Sequence, residues 1–313
     1  MHLLDRQLIF VTGKGGVGKT SVAAALGLLA AHSGKRTLVC EMDGKGALGP
    51  ALDTTTLEFE PRQLDDDLYA MAMNTEDALR EYLKLFVRIP LVARIGPLAR
   101  TFDFVADAAP GVKEILGIGK LAYEVRERHY DLVIVDAEAT GHIVAQVGAP
   151  RVISELVQVG MVRDQTRWML DILDDPARTG IVIVTTPEEM PIAETIDLLG
   201  RLDEETEVSP CAIVANRVLP ALFDRKESDV VASLGDAEDV LVDAAGPGVR
   251  QVVVAAQLTE ARRRVGSEHL ERLRAALPAA LPVLNVPELF TRATGRRVVA
   301  LVAEALGEEL DVA

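Results

Sequence analysis

The chain has 313 residues, of which 49% are hydrophobic, and it carries a formal net charge of −15. The length is enough to bury a sizeable core and the apolar content excludes a disordered chain, while the acidic balance argues against nucleic acid or an anionic membrane as a partner. No apolar run is long enough to span a bilayer, and the N-terminal MHLLDRQLIFVTG lacks the basic, apolar and cleavage regions of a signal peptide, so a cytoplasmic protein with no stable membrane insertion is expected.

In chain order, RQLIFVTG is a short apolar run ending in Gly13, the pattern of a buried parallel strand feeding a loop. TSVAAALGLLAAHS follows as an Ala- and Leu-rich helix closed by Gly34. KRTLVCEMD, DLYAMAMN, DLVIVD, GIVIVTT, PCAIVANRV and LPVLNVPEL read as further strands. Helical patterns separate them at 75–87, 111–128, 151–174, 190–203, 258–277 and 295–307, and 228–252 is a weakly patterned excursion. Strand–helix alternation of this kind predicts right-handed crossovers and a mostly parallel, doubly wound α/β sheet, here one domain spanning 1–313. Cys40 and Cys211 each fall in a strand and read as small buried hydrophobes. Without a C-x-x-C pair, a structural zinc site is not expected.

The chemistry begins at Gly13. The stretch GKGGVGKT, Gly13 to Thr20, is a phosphate loop of the form G-x-x-x-x-G-K-T between a strand and a helix. Gly13, Lys14, Gly15, Gly16, Val17, Gly18, Lys19, Thr20 and Ser21 are the expected contacts for the phosphates of ATP or ADP. Backbone N–H groups and the positive helix terminus cradle phosphate oxygens; Lys19 neutralises their charge and the Thr20 hydroxyl is placed for Mg2+. Asp136, at the tip of its strand, is a second metal candidate, with helix capping as the alternative. Asp43, also at a strand tip, is a candidate for the metal site and for orienting the attacking water, or is a turn residue before Gly44. Lys14 is a second lysine in the loop. It is either a solvated rim residue or a group that crosses to the nucleotide of a second subunit, as an arginine finger does.

The two-lysine loop resembles the deviant Walker A loop of the MinD, ParA, nitrogenase iron protein and arsenite-pump ATPase (ArsA) superfamily. That resemblance implies a face-to-face dimer in which Lys14 acts across the interface. DAEATGHIVAQVGAP, with Asp136, Thr140, Gly141 and His142 in order, resembles the second switch of ArsA and of the tail-anchored-protein-targeting ATPases. Pro110, Gly111 and Glu114 resemble the P-G-x-x-E segment of the same branch, and the order of motifs spans nearly the whole chain. The resemblance further implies that Asn216 contacts adenine and that Pro287, Glu288 and Leu289 belong to the adenine loop. It leaves open a homodimer or a heterodimer with a paralogous ATPase, and an unknown client or partner protein.

The chain also departs from that pattern. The first switch reads MDGKGAL where the branch has D-P-A-H, and Glu138 and Ala139 replace Ala and Pro in the second. Two strand cysteines do not supply the three thiolates of an arsenite site, and the zinc-clasp C-x-x-C is absent. Residues 79–104, apolar with Arg88, Arg94 and Arg100 and broken by Pro90 and Pro97, are either a helical layer on the sheet or a partner surface within 75–130. The arginines at 262–264 lie among glutamates and read as a solvated helix face, and the acidic C-terminal helix is no membrane anchor. The expectation is a Mg2+-dependent ATPase that couples its nucleotide state to a partner. The alternatives are a nucleotide-binding scaffold with little turnover and a ParA- or MinD-like positioning ATPase.

Overall fold

A computed structural model of the chain describes residues 2–87, 111–156 and 161–312. Among the described residues eight strands form one sheet in the order β3-β4-β2-β5-β1-β6-β7-β8. They are β1 (Leu8–Gly13), β2 (Thr37–Glu41), β3 (Arg62–Gln63), β4 (Leu68–Ala72), β5 (Leu132–Asp136), β6 (Thr179–Thr185), β7 (Pro210–Val218) and β8 (Val283–Pro287). Every pairing is parallel except that of the short edge strand β3 with β4. β1 lies at the centre, between β5 and β6. The chain therefore winds outward from β1 in both directions, and the carboxyl end of β1 is the point where such a sheet opens a crevice.

Eleven α-helices are described. They are α1 (Lys19–His32), α2 (Leu48–Ala51), α3 (Thr75–Tyr82), α4 (Val112–Arg126), α5 (Thr140–Leu156), α6 (Met161–Leu173), α7 (Glu189–Glu205), α8 (Arg225–Ser233), α9 (Glu238–Ala245), α10 (Val249–Ala276) and α11 (Arg296–Glu309). Side chains alternate across each strand, so β1 sends Ile9 and Val11 to one face and Leu8 and Phe10 to the other. The first face is covered by α1 and α11, through residues such as Leu26, Val302 and Leu306. The second is covered by α4, α5, α6, α7 and the end of α10, through Leu121, Val144, Ile172, Leu198 and Leu273. Both faces being covered explains why β1, β2, β5 and β6 are buried along their whole length and read as continuous apolar runs.

The predicted strands and helices are present where they fall on described residues, with four differences, the first being the single-turn α2, too short to show a helical period. The two-residue β3 was missed because so short an edge strand leaves no periodic signal. Across the predicted helix 151–174 the described residues are helical at Thr140–Leu156 and Met161–Leu173, with 157–160 outside the described residues, and the helix already begins at Thr140, inside the second-switch motif. The excursion at 228–252 is helical: α8 opens with a reciprocal capping box between Asp224 and Glu227, a 3-10 turn follows, then α9, and α10 starts at Val249 rather than 258. Its apolar pattern is blurred because Val240, Val252, Val254 and Leu258 are exposed. Of the segment 79–104, the part from residue 88 onward, with its three arginines and two prolines, lies outside the described residues, as does Pro110. Among the described residues no helix is long and apolar enough to cross a membrane.

α1 runs against β2 at the one position where the helix has no side chain. A Cβ on Gly27 would come within 2.3 Å of Val39 Cγ2, and Val39 is fully buried. Gly27→Ala is expected to cost about 1–3 kcal/mol through overpacking, despite the better helix propensity of alanine. Chemical denaturation checks this, and an unchanged midpoint would refute the close packing.

Candidate functional site

The loop from Gly13 to Gly18 turns over the carboxyl ends of β1 and β6. Gly13 has φ +152°, and a Cβ there would sit 2.1 Å from the carbonyl oxygen of Val184. Gly16 and Gly18 have φ +88° and +96°, the left-handed region in which glycine carries no side-chain penalty. Gly15 and Gly16 are exposed, leaving their backbone open on the outer side of the loop, while Val17 is buried as its anchor. Lys19 and Thr20 begin α1, so the loop amides and the positive helix end converge on one place. Ser21 follows, half-buried in the first turn.

Asn216 braces this loop from β7. Its side-chain amide donates to the carbonyl oxygen of Val17 at 2.8 Å, and a Cβ on Gly18 would come within 2.4 Å of the same amide nitrogen. The side-chain oxygen of Asn216 accepts from the Arg217 N–H at 3.0 Å. The β7–β8 register slips between Ala215 and Val218, with three residue steps on β7 opposite two on β8. Arg217 sits in that bulge with φ +58°, a strained value for a residue with a side chain. The bulge turns Asn216 toward the loop. Beyond it, Arg217, Val218, Leu219, Glu288 and Phe290 line one side of a cleft of about 690 Å³, whose other wall includes Glu188 and residues of α10. Glu288 N–H donates to the Val218 carbonyl at 2.9 Å, which fixes the loop after Pro287, and Leu289 packs against the α1-side core.

Asp136 ends β5 and is 5% exposed. Burial pushes its carboxyl up to about 6, against the opposing pull of a hydrogen bond with Thr20 and of the Lys19 charge, while the nearby charge of Asp43 adds to the rise. Burial also lowers Lys19, and Asp136 partly offsets it. Thr20 and Asp136 therefore share one hard-oxygen pocket beside Lys19, a donor set that suits Mg2+ once phosphate and water oxygens complete the shell. Among the described residues no three His, Cys, Asp or Glu side chains gather to hold a metal by themselves. Asp43 lies beyond the tip of β2, in the loop after it. Its Oδ2 takes Lys45 Nζ at 2.6 Å and its Oδ1 takes the Lys45 N–H at 3.2 Å. The turn is made possible by Gly44 and Gly46, both at positive φ.

Lys14 does not lie free on the loop rim. Its ammonium pairs with Glu194 Oε1, on α7. Glu194 Oε2 in turn accepts from the Thr140 hydroxyl at 3.2 Å, at the first residue of α5. One carboxylate thus joins the second lysine of the loop to the second switch. Thr12 adds a further tie, donating to the Glu138 carbonyl at 2.8 Å. His142 is largely exposed and its Nδ1 is 3.6 Å from Glu138 Oε2. The sequence motifs omitted Glu194 and Lys45. Glu194 carries no motif of its own, being one of many acids on an acidic helix, whereas Lys45 stood inside the departure from the D-P-A-H pattern.

A family model described as anion-transporting ATPase matches residues 6–166 and 155–278 of the chain. ATPase BagA of Mycobacterium tuberculosis is 28% identical over 299 residues, 90% of this chain and 86% of that protein. The arsenical pump-driving ATPase of Escherichia coli is 25% identical over 244 residues, 70% of this chain but 41% of that protein. The ASNA1 homolog 1 of Paramecium tetraurelia, also an ATPase, is 30% identical over 161 residues, 48% of this chain and 47% of that protein.

The Asn216 brace gives a direct test. Asn216→Ala leaves the buried Val17 carbonyl without its donor, so a stability loss of about 1–3 kcal/mol is expected, together with faster amide exchange in the loop from Gly13 to Gly18. Exchange measured by mass spectrometry that matched the unaltered protein would refute the brace.

Proposed function

The chain belongs to the anion-transporting ATPase (ArsA) family and is an ATP hydrolase, and on that footing we propose that it works as a dimeric, Mg2+-dependent nucleotide switch that passes its state to a partner protein. The loop amides and Lys19 hold the β- and γ-phosphates, and Thr20 and Asp136 hold the metal, which when bound polarises the phosphate oxygens. The cleft beyond Asn216, bordered by Glu288 and Phe290 on the loop that also carries Pro287 and Leu289, takes the nucleoside. Asp43 orients the water that attacks the γ-phosphorus, and the bond to the bridging oxygen breaks to give ADP and phosphate. Lys14 enters the partner subunit's site and neutralises charge on the bridging oxygen.

The observation that carries this reading is the link from Lys14 through Glu194 to Thr140. It ties the lysine that would cross the dimer to the segment that would sense the γ-phosphate. In the closed dimer Lys14 exchanges Glu194 for a phosphate, which leaves the Glu194 carboxylate to Thr140 alone and changes the charge that Thr140 faces. The second switch is thereby coupled to dimer closure. A second reading, a nucleotide-holding scaffold with little turnover, is favoured by the engagement of Asp43 with Lys45, which occupies the carboxylate needed to orient water. The name of the Escherichia coli relative points to arsenicals. This chain gives that no support, because Cys40 is buried on β2 and Cys211 lies on β7, with three strands between them.

Turnover and mass in solution, with and without Mg·ATP, separate the readings. Lys19→Ala is expected to lose nucleotide binding. Lys14→Ala is expected to bind ATP normally and lose at least about a hundredfold in turnover. A Lys14→Ala protein that hydrolyses as fast as the unaltered one would end the trans-lysine reading. An Asp43→Ala protein with unchanged turnover would favour the scaffold.

A further inference from the structure

Glu41 is the last residue of β2, directly before the first-switch loop. It is in register with Asp136 on β5. Residues in register on neighbouring strands leave the sheet on the same face. Here it is the α1 face, since Val39 and Ile134, two residues back on each strand, both pack in the α1-side core. Glu41 and Asp136 thus stand side by side beneath the phosphate loop. Glu41 is 1% exposed. Its Oε1 accepts from the Ala47 N–H at 2.8 Å, just before α2. Its Oε2 is buried and has no hydrogen-bond partner among the described residues.

A buried carboxylate oxygen with no donor is costly, and native folds leave few such groups without a use. A hydrophobic residue at this strand position would pack as well and avoid that cost. The free oxygen lies beside the carboxylate assigned above to Mg2+, an ion that sheds its water reluctantly and keeps several molecules in its shell. Each of those waters presents protons to a neighbouring acceptor.

We propose that Glu41 is an outer acid of the magnesium site: Oε2 accepts from a water in the ion's shell while Oε1 holds the Ala47 N–H. One buried carboxylate then serves the metal and the first switch together, so metal loading steadies the loop that carries Asp43. Glu41 is a positioning residue in this scheme and touches no reacting atom. The proposal rests on the ATPase reading of the site.

Calorimetric titration of ADP at stepped magnesium concentrations tests it. Glu41→Gln keeps an oxygen for Ala47 and removes the charge. It is expected to bind ADP without metal as the unaltered protein does, and to need at least about tenfold more magnesium for half of the metal-dependent tightening, the cost typical of losing an outer-shell partner. Glu41→Asp keeps the charge and is expected to fall between the two. Thermal melting identifies a variant that fails to fold; in that case Glu41→Asp, with Mn2+ binding read by electron paramagnetic resonance, decides. A magnesium requirement unchanged in the folded variants would overturn the proposal. If the unaltered protein bound ADP equally with and without magnesium, the metal site itself would fall, and that result needs no variant.

Discussion

The structure depends on how closely the phosphate loop lies against the sheet. At Gly13 the backbone passes so near the Val184 carbonyl that no side chain fits, and at Gly18 it passes as near the Asn216 amide. These two contacts set the loop's curvature from β6 and β7, strands far from it in sequence. The strained Arg217 and the bulge in β7 are the local cost of bringing Asn216 to the loop. With the loop fixed, α1 has to start at Lys19, and Thr20 has to meet Asp136 at the tip of β5.

The charges around that point are arranged in exchangeable pairs. Lys14 is held by Glu194, and Asp43 is held by Lys45. Both pairs are partly open to water, where an ion pair is worth little. A nucleotide phosphate is a stronger competitor for either lysine, because it carries more charge and meets the oriented loop amides at the same time. The buried groups behave differently. Asp136 and Glu41 cannot shed their cost to solvent, so they favour a cation at the site. In the proposed switch the weak exposed pairs change with nucleotide state, while the buried carboxylates hold the metal.

Much of this was legible in the sequence because the relevant constraints are local. GKGGVGKT encodes positive-φ backbone, an N-terminal helix end and a lysine within eight residues, and the apolar runs of β1, β2, β5 and β6 reflect burial on both faces. Long-range pairings left no such trace. Nothing near Glu194 marks it as the partner of Lys14, which lies 180 positions away. Within KRTLVCEMD nothing distinguishes Glu41, whose place in the site comes from its register with Asp136 on a strand far along the chain. The segment 228–252 is helical yet weakly patterned, because Val230, Val240 and Val252 face outward; the D-x-x-E capping box at Asp224 is a local signal of a helix start there.

The central claim is that Lys14 completes a neighbouring subunit's site while Asp43 serves its own. Mixing two inactive variants tests this most directly. Lys14→Ala and Asp43→Ala should each be nearly silent alone. In mixed dimers the Lys14→Ala subunit keeps its own Asp43 and receives Lys14 from its neighbour, so ATP turnover should reappear on mixing and titrate with the ratio of the two proteins. If both variants are silent alone, yet form mixed dimers with no recovered turnover, the two residues serve the same site and the claim is wrong.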